Sequence, residues 1–429
     1  MPRIHLAHPR SLRPSAEVVS PVVVGSTVSD PLSEGLTLHL PLTSDLTPLV
    51  GTGSATFVRA SAGTALNPAG RLITYGNNAA RFDCGSPDNP LAGYLAEAAG
   101  TPLNLCWPNN VLTHWRWTLG TGVSVTDNST DVIDPAGGNA ATKITYNGSG
   151  IAGEARLYQT IKAPSVNGEV STSSVWLRTA TGTLTLRLRD NMGGTTVCAL
   201  TPVWRRFQVT STGNGTNHWQ LALWTDAGVN DAFTAYWYMP QAEVGATASS
   251  VVSATEGPAN RSADLLSYPT ASNLFHSACS VSFWVRTPWA GNDGQIHFLL
   301  DVPTDANRQR ICVVKTATNA LRLEVYGNTA GGLKLLSHPL DATKWAPNTW
   351  HHVVATWTSA GPLTLWLDGV SVGTAASSGV WADLVDLGPT AWIGVRYSGI
   401  YPVQGVIRSL RAYNRVLTAT EISRLYAAG

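Results

Sequence analysis

Two adjacent histidines, a G-x-S-x-G match, a few isolated acids and sixteen tryptophans are the residues of this chain whose types could do chemistry. Gly369-Val370-Ser371-Val372-Gly373 has the form of a nucleophile elbow. That elbow needs a strand-to-helix turn, with a histidine and an acid supplied by an α/β sheet. Here the motif follows an Asp-Gly pair between two alternating runs, which is a hairpin signal, so the match is coincidental. Glycoside hydrolysis needs two carboxylates facing one cleft; Glu324, Asp368, Asp383 and Asp386 stand isolated, and Asp368 is explained as a turn residue. His351 and His352 are neighbours in a strand-like run, so they point to opposite faces and one metal ion cannot easily use both. No H-E-x-x-H, Walker loop or dinucleotide fingerprint occurs.

The tryptophans suggest a different chemistry. A sugar ring offers an apolar C–H face that stacks on an aromatic ring, while polar side chains hold its hydroxyls. In a half-buried strand the aromatic free to do this lies on the face opposite the leucines. Trp224, beside Gln220, opposes Trp219, Leu221 and Leu223; Tyr236 and Tyr238 oppose Phe233, Ala235 and Trp237. Trp176 shares a face with Arg178, opposite Val175 and Leu177, and Trp366 opposes Leu363, Leu365 and Leu367. Trp176, Arg178, Gln220, Trp224, Tyr236, Tyr238 and Trp366 are therefore the candidate ligand residues. The alternative for each aromatic is packing under a loop or against another subunit.

The elements that must position them are strands. Charged residues make up only 13% of 429, and glycine (40) and tryptophan are abundant, a balance that favours twisted antiparallel sheets. Leu184, Leu186 and Leu188 alternate with Thr185, Arg187 and Arg189, and 350–357 (WHHVVATW), 363–367 and 405–413 read as strands. One helix is expected at the end: Thr418 and Glu421 form a capping box, Leu417 and Ile422 a staple, and Ile422, Leu425 and Tyr426 a buried stripe. In 54–105 two short runs, 56–59 and 71–74, flank Asn67-Pro68-Ala69-Gly70 and predict a hairpin too small to bury a core alone. The length implies several modules: an extended N-terminal arm (1–35), the hairpin segment (36–105), and two β-sandwiches (106–264 and 265–429).

A net charge of +1 argues against gripping nucleic acid by bulk electrostatics, and no apolar run reaches membrane-span length, so neither partner is expected. The N-terminus lacks the basic-then-apolar order of a secretory signal. Five scattered cysteines with no C-x-x-C predict buried free thiols in a protein made in a reducing cytosol.

Three resemblances emerge from longer stretches. "F-x-R-A-S-x-G-T", "G-R-L", "N-x-A-R-F-D" and "G-x-L-x-E-A-x-x-T-x-L-N-L", with Pro102 where the family has Asn, resemble a cassette of bacteriophage tail-fibre and other virion proteins. The run from near Asn110 through 175–178 (VWLR), 204–207 (WRRF) and 240–245 (PQAEVG) is similar to carbohydrate-binding-module sandwiches, and 260–264 (NRSAD) resembles the exit from such a module in phage proteins. "W-H-H-V-V-A-T-W", "L-W-L-D-G", "W-I-G" and "Y-N-R-V-L-T-A-T-E-I" resemble the laminin-G-like, concanavalin A-like jelly roll.

Together these imply an all-β chain of two antiparallel sandwiches serving as a non-enzymatic phage structural protein: a tail-fibre, tail-tip or head-decoration subunit. It would attach to other virion proteins through the arm and cassette, form homo-oligomers with trimers favoured, and bind host-surface glycan. The implied location is the virion, after synthesis in the bacterial host cytoplasm. The alternative is a glycoside-active enzyme with appended binding modules, whose usual E-x-D-x-x-E spacing is absent here. No cofactor is expected. Both sandwich families sometimes hold a structural calcium, but no ligand cluster in the sequence identifies one.

Overall fold

Among the described residues the period-two runs become strands that pair into four large antiparallel sheets, of eight, seven, five and five strands, with two small two-stranded sheets beside them. The computed structural model describes residues 32–86, 91–226, 229–304, 310–326, 333–359, 361–375 and 387–429, without the side chains of 100–102. It divides into two units, 1–33 and 34–429, and the second holds both sandwiches. The expected arm (1–35) falls almost wholly outside the described residues, as do Asp383 and Asp386.

The first sandwich faces two five-stranded sheets. One runs Arg205–Thr212, Val170–Arg178, Phe233–Val244, Thr142–Tyr146 and Val123–Thr126; the other runs Thr195–Leu200, Leu184–Arg189, Trp219–Thr225, Ala155–Lys162 and Thr118–Leu119. Alternation sends Leu186, Leu188, Leu221 and Leu223 inward against Val175, Leu177, Ala235 and Trp237, all essentially without solvent contact. This is the leucine face read from the sequence.

The second sandwich pairs the eight- and seven-stranded sheets, and its core draws on both: Val281, Phe283, Val353, Ala355, Leu363 and Leu365 from one, Leu300, Val302, Ile311, Val313, Leu321 and Leu323 from the other. At the edge hairpin, Asp368 (φ 52°) and Gly369 (φ 78°) both take positive φ, as a two-residue type I′ connection requires. Ser371 of the G-x-S-x-G match lies on the exposed edge strand that comes next.

Strands from 36–105 complete this second sandwich although the first lies between them in sequence. Leu36–Leu40 and Gly93–Ala96 pair with different parts of Gly405–Tyr413, and Phe82–Asp83 pairs with Gly93–Ala96. Thr56–Val58 pairs with Leu265–Pro269. The expected hairpin is therefore corrected. The Asn67–Gly70 turn joins Gly63–Leu66 to Leu72–Tyr75, not 56–59 to 71–74, because the 56–58 strand pairs instead with the distant Leu265–Pro269.

Ala419–Ala427 is the one helix among the described residues. Thr418 caps it, with the reciprocal Glu421 bond present, and Ile422 and Leu425 are buried. Tyr426 departs from the expected buried stripe: it is 41% exposed and stacks on Trp284 at 5.6 Å.

Candidate functional site

The arginines and acids of the cassette converge on one buried ionic junction. Arg59 follows the Thr56–Val58 strand, Arg81 precedes Phe82–Asp83, Glu97 follows Gly93–Ala96, and Arg261 and Asp264 lie between the sandwiches in sequence. Arg59 Nη1 donates to Asp264 Oδ1 at 2.9 Å, and Arg81 Nη2 reaches both Glu97 Oε2 (2.8 Å) and Asp264 Oδ2. Arg261 Nη1 approaches Glu97 Oε2 at 3.2 Å. Ser250, from the loop leaving the first sandwich, donates its N–H and hydroxyl to Glu97, each at 2.7 Å. Burial alone would raise the Glu97 carboxyl, but Arg261, Arg81 and the Ser250 donors outweigh it and hold it at about 2.

A cleft of about 550 Å³ opens beside this junction. Trp176, Arg206 and Gln208 wall it from the first sandwich, Asp83 and Glu97 from the cassette, and Arg286, Asn348 and Gln404 from the second sandwich.

The sequence-derived ligand residues separate into three places. Trp176, Tyr236 and Tyr238 do oppose the leucine face, yet that outer face is covered. Leu66 and Leu72 of the hairpin, Val132 and Ala141 of the preceding loop, and Val251 pack on it. All three aromatics are buried, Trp176 at the wall of the cleft, and the Tyr236 hydroxyl donates to Asp131 at 3.0 Å. The expectation that this face is free is corrected: the sequence pattern shows which way a side chain points, not what a distant segment lays over it. Arg178 lies at its border, over Trp204 at 5.8 Å and bonded to the Thr179 carbonyl.

Trp224 and Gln220 sit together on the outer face of the other sheet. Trp224 is half-buried beneath the Arg189 guanidinium, 4.3 Å from its ring centre, and Arg187 opposite it pairs with Asp226 at 2.8 Å. Gln220 donates to Thr160 at 3.3 Å. Trp366 is alone on the second sandwich, half-buried, its indole N–H on Thr364.

Among the described residues, the tryptophan with an open face is one that strand alternation does not single out. Trp115 is 78% exposed, beside the His114 ring at 5.4 Å, with Arg116 5.6 Å from its centre. Arg116 also lies 4.4 Å over the half-buried Trp107. The local signal is the run Trp107 to Trp117, rich in aromatics and lacking any period.

The adjacent histidines part as expected. His351 Nδ1 meets Asp368 Oδ2 at 2.9 Å, while His352 Nε2 bonds the Ser282 hydroxyl at 2.8 Å on the opposite face. Among the described residues no three His, Cys, Asp or Glu side chains gather as a metal site. No described helix is long and apolar enough to cross a membrane.

Residues 260–423 match the family model of the concanavalin A-like lectin/glucanases superfamily (Laminin_G_3). The C-terminal sandwich is a concanavalin A-like jelly roll. Among solved structures, the chain is similar to one of botulinum neurotoxin type C, described for its cell entry through two ganglioside molecules, at 14% identity and TM-score 0.31, over 39% of this chain and 40% of that one. The binding domain of botulinum neurotoxin DC in complex with SialylT gives 17%, 0.32, and 39% of each chain. The binding domain of Paraclostridial Mosquitocidal Protein 1 gives 16%, 0.30, and 39% and 44%. The chain thus spans less than half the length of each. No curated protein matches.

Proposed function

We propose that this chain is a non-enzymatic structural subunit of a bacteriophage particle, of tail-fibre, tail-tip or head-decoration type, that presents a glycan-binding surface for host adhesion. The glycan reading is carried by Trp115: a tryptophan with most of its ring open, flanked by His114 and Arg116, is a stacking platform with hydrogen-bonding groups at its edge. The Trp224–Arg189 pair, with Gln220 nearby, supplies a second and more enclosed aromatic surface. The virion reading rests on the resemblance of the cassette, whose matching residues Arg59, Arg81 and Glu97 meet in the buried junction. Attachment is assigned to the N-terminal part, the oligomer to a trimer, and synthesis to the host cytoplasm, in keeping with five free buried thiols.

A glycan array probed with the full chain and with Trp115→Ala tests the adhesion reading. Retained glycans that the variant loses support it; no bound glycan, or equal binding by the variant, overturns it. Antibody labelling of purified particles tests the rest. Absence of the chain from the particle would rule out a virion role, and release of reducing sugar by the pure chain would favour the glycoside-active alternative.

A further inference from the structure

We propose that the cleft between the two sandwiches is a second ligand site, built for a saccharide ring that carries one carboxylate. At its centre is Arg286, the last residue of the Ala278–Arg286 strand and a wall of the cleft. It is only 6% exposed, and its guanidinium lies 5.0 Å from the Trp350 ring centre. Among the described residues its guanidinium makes no hydrogen bond and no ion pair, although Arg59, Arg81 and Arg261 in the neighbouring junction are all paired. The fork of donors opens on the cleft instead of on a protein acceptor, and a bidentate carboxylate is the group that best fits it.

The space in front of it is also built. Gly85 has φ +71°, and a Cβ there would stand 2.6 Å from Arg286 Nη2 and 3.6 Å from Asp83 Oδ2. The absent side chain leaves Arg286 Nη2 and Asp83 Oδ2 facing one shared space. Asp83 Oδ1 accepts from the Leu66 N–H at 2.6 Å, while Oδ2 has no hydrogen-bond donor among the described residues. Gln404 uses its Oε1 on the Ala98 N–H and keeps its amide N–H groups, and Asn348 at the rim makes no side-chain hydrogen bond with a described residue.

This set of groups selects a class of ligand. Asp83 lies close enough to offset part of the Arg286 charge but makes no hydrogen bond with it, so the fork has room for one anionic group and no more. Asp83 Oδ2 accepts from a hydroxyl and repels a second negative charge, so phosphate or sulfate suits the site less well than a sugar acid. The amides of Asn348 and Gln404 suit further hydroxyls, and about 550 Å³ holds one or two hexose rings. The site does not depend on Trp115, which does not line it, so the two readings fail separately.

The experiment is saturation-transfer NMR on the full chain with D-glucuronate, D-glucose and inorganic phosphate as probes. Glucuronate is expected to bind about tenfold or more tightly than glucose or phosphate, the scale of one charge-assisted hydrogen-bonded pair. Arg286→Gln should remove that preference. Asn348→Asp, at an exposed position with φ 59° that aspartate tolerates, adds a negative charge at the mouth and should weaken glucuronate several-fold while leaving the melting temperature unchanged. Trp115→Ala should leave glucuronate binding intact. No saturation transfer to glucuronate, glucose or phosphate binding as tightly, or glucuronate binding unaffected by Asn348→Asp, would each overturn the assignment, even if Arg286→Gln failed to fold.

Discussion

Arg59 donates to Asp264 at 2.9 Å, an ion pair between side chains 205 positions apart that are both fully buried. Asp264 also accepts from Arg81 and from the Glu97 N–H (3.1 Å), so one carboxylate closes three segments of the chain. Removing it would leave Arg59 buried with only backbone carbonyls, those of Ser61 and Gly76 among them, as acceptors, and Arg81 with Glu97 as its one carboxylate. We expect Asp264→Ala to cost about 3–5 kcal/mol, the usual penalty for deleting one partner of a buried pair. Urea unfolding of the two proteins measures it, and a loss below about 1 kcal/mol would mean that solvent reaches the junction.

Acid should weaken the fold in a way His352 makes readable. Its ring is buried, with Nε2 on Ser282 and Nδ1 without a partner; burial chiefly lowers it to about 4, with Asp368 opposing and Arg411 adding. The folded state thus prefers the neutral ring. Its contribution is complete above the unfolded value near 6.5 and is lost as pH falls toward 4, a loss of about 3 kcal/mol. Glu97, held at about 2, acts in the same direction lower down, its stabilisation present above about 4.5 and lost as pH falls through 2. Asp83 and Glu243, raised mainly by burial, act oppositely. The comparison of His352→Gln with the parent isolates the upper limb: melting temperature between pH 7 and 4 should fall less steeply in the variant.

Much of this molecule was legible in local pattern. Leu186 and Leu188 face the core because alternation must bury one side of a strand, and Thr418 caps the helix because its partner Glu421 stands three residues on. The candidate site was less so. Trp176, Tyr236 and Tyr238 point where alternation sends them, but their cover, including Leu66 and Val251, comes from segments far away in sequence. Thr56–Val58 likewise found its partner at Leu265–Pro269, a pairing no local signal carries. Trp115 carries no such signal either, because a loop has no period to read.

The five cysteines offer a probe of the fold as a whole. Cys84, Cys106, Cys198, Cys279 and Cys312 are all free and buried, and burial raises Cys106 beyond the usual range and Cys279 to about 12. A thiolate is the reactive form, so native thiols should be nearly inert. An aromatic disulfide reagent at pH 8 is expected to label none of them rapidly in the native chain and all five in 6 M guanidinium chloride. Rapid labelling of one in native buffer would identify a region that opens locally.

The tryptophans can be ranked by what their loss does to stability. Trp345 is fully buried, stacked at 5.4 Å on Trp289 and at 4.6 Å on His351, with its indole N–H on Thr287 Oγ1 at 2.9 Å. Trp345→Ala should cost about 3–5 kcal/mol, the range for deleting a core aromatic. Trp366 is half-buried with one long bond of 3.2 Å to Thr364, so Trp366→Ala should cost about 1–2 kcal/mol. Trp115, 78% exposed, should cost no more than about 0.5 kcal/mol. Urea midpoints of the three variants give the order directly. A stability loss for Trp115→Ala as large as that for Trp366→Ala would mean that its ring is a packing element, and the open platform on which the adhesion reading rests would be gone.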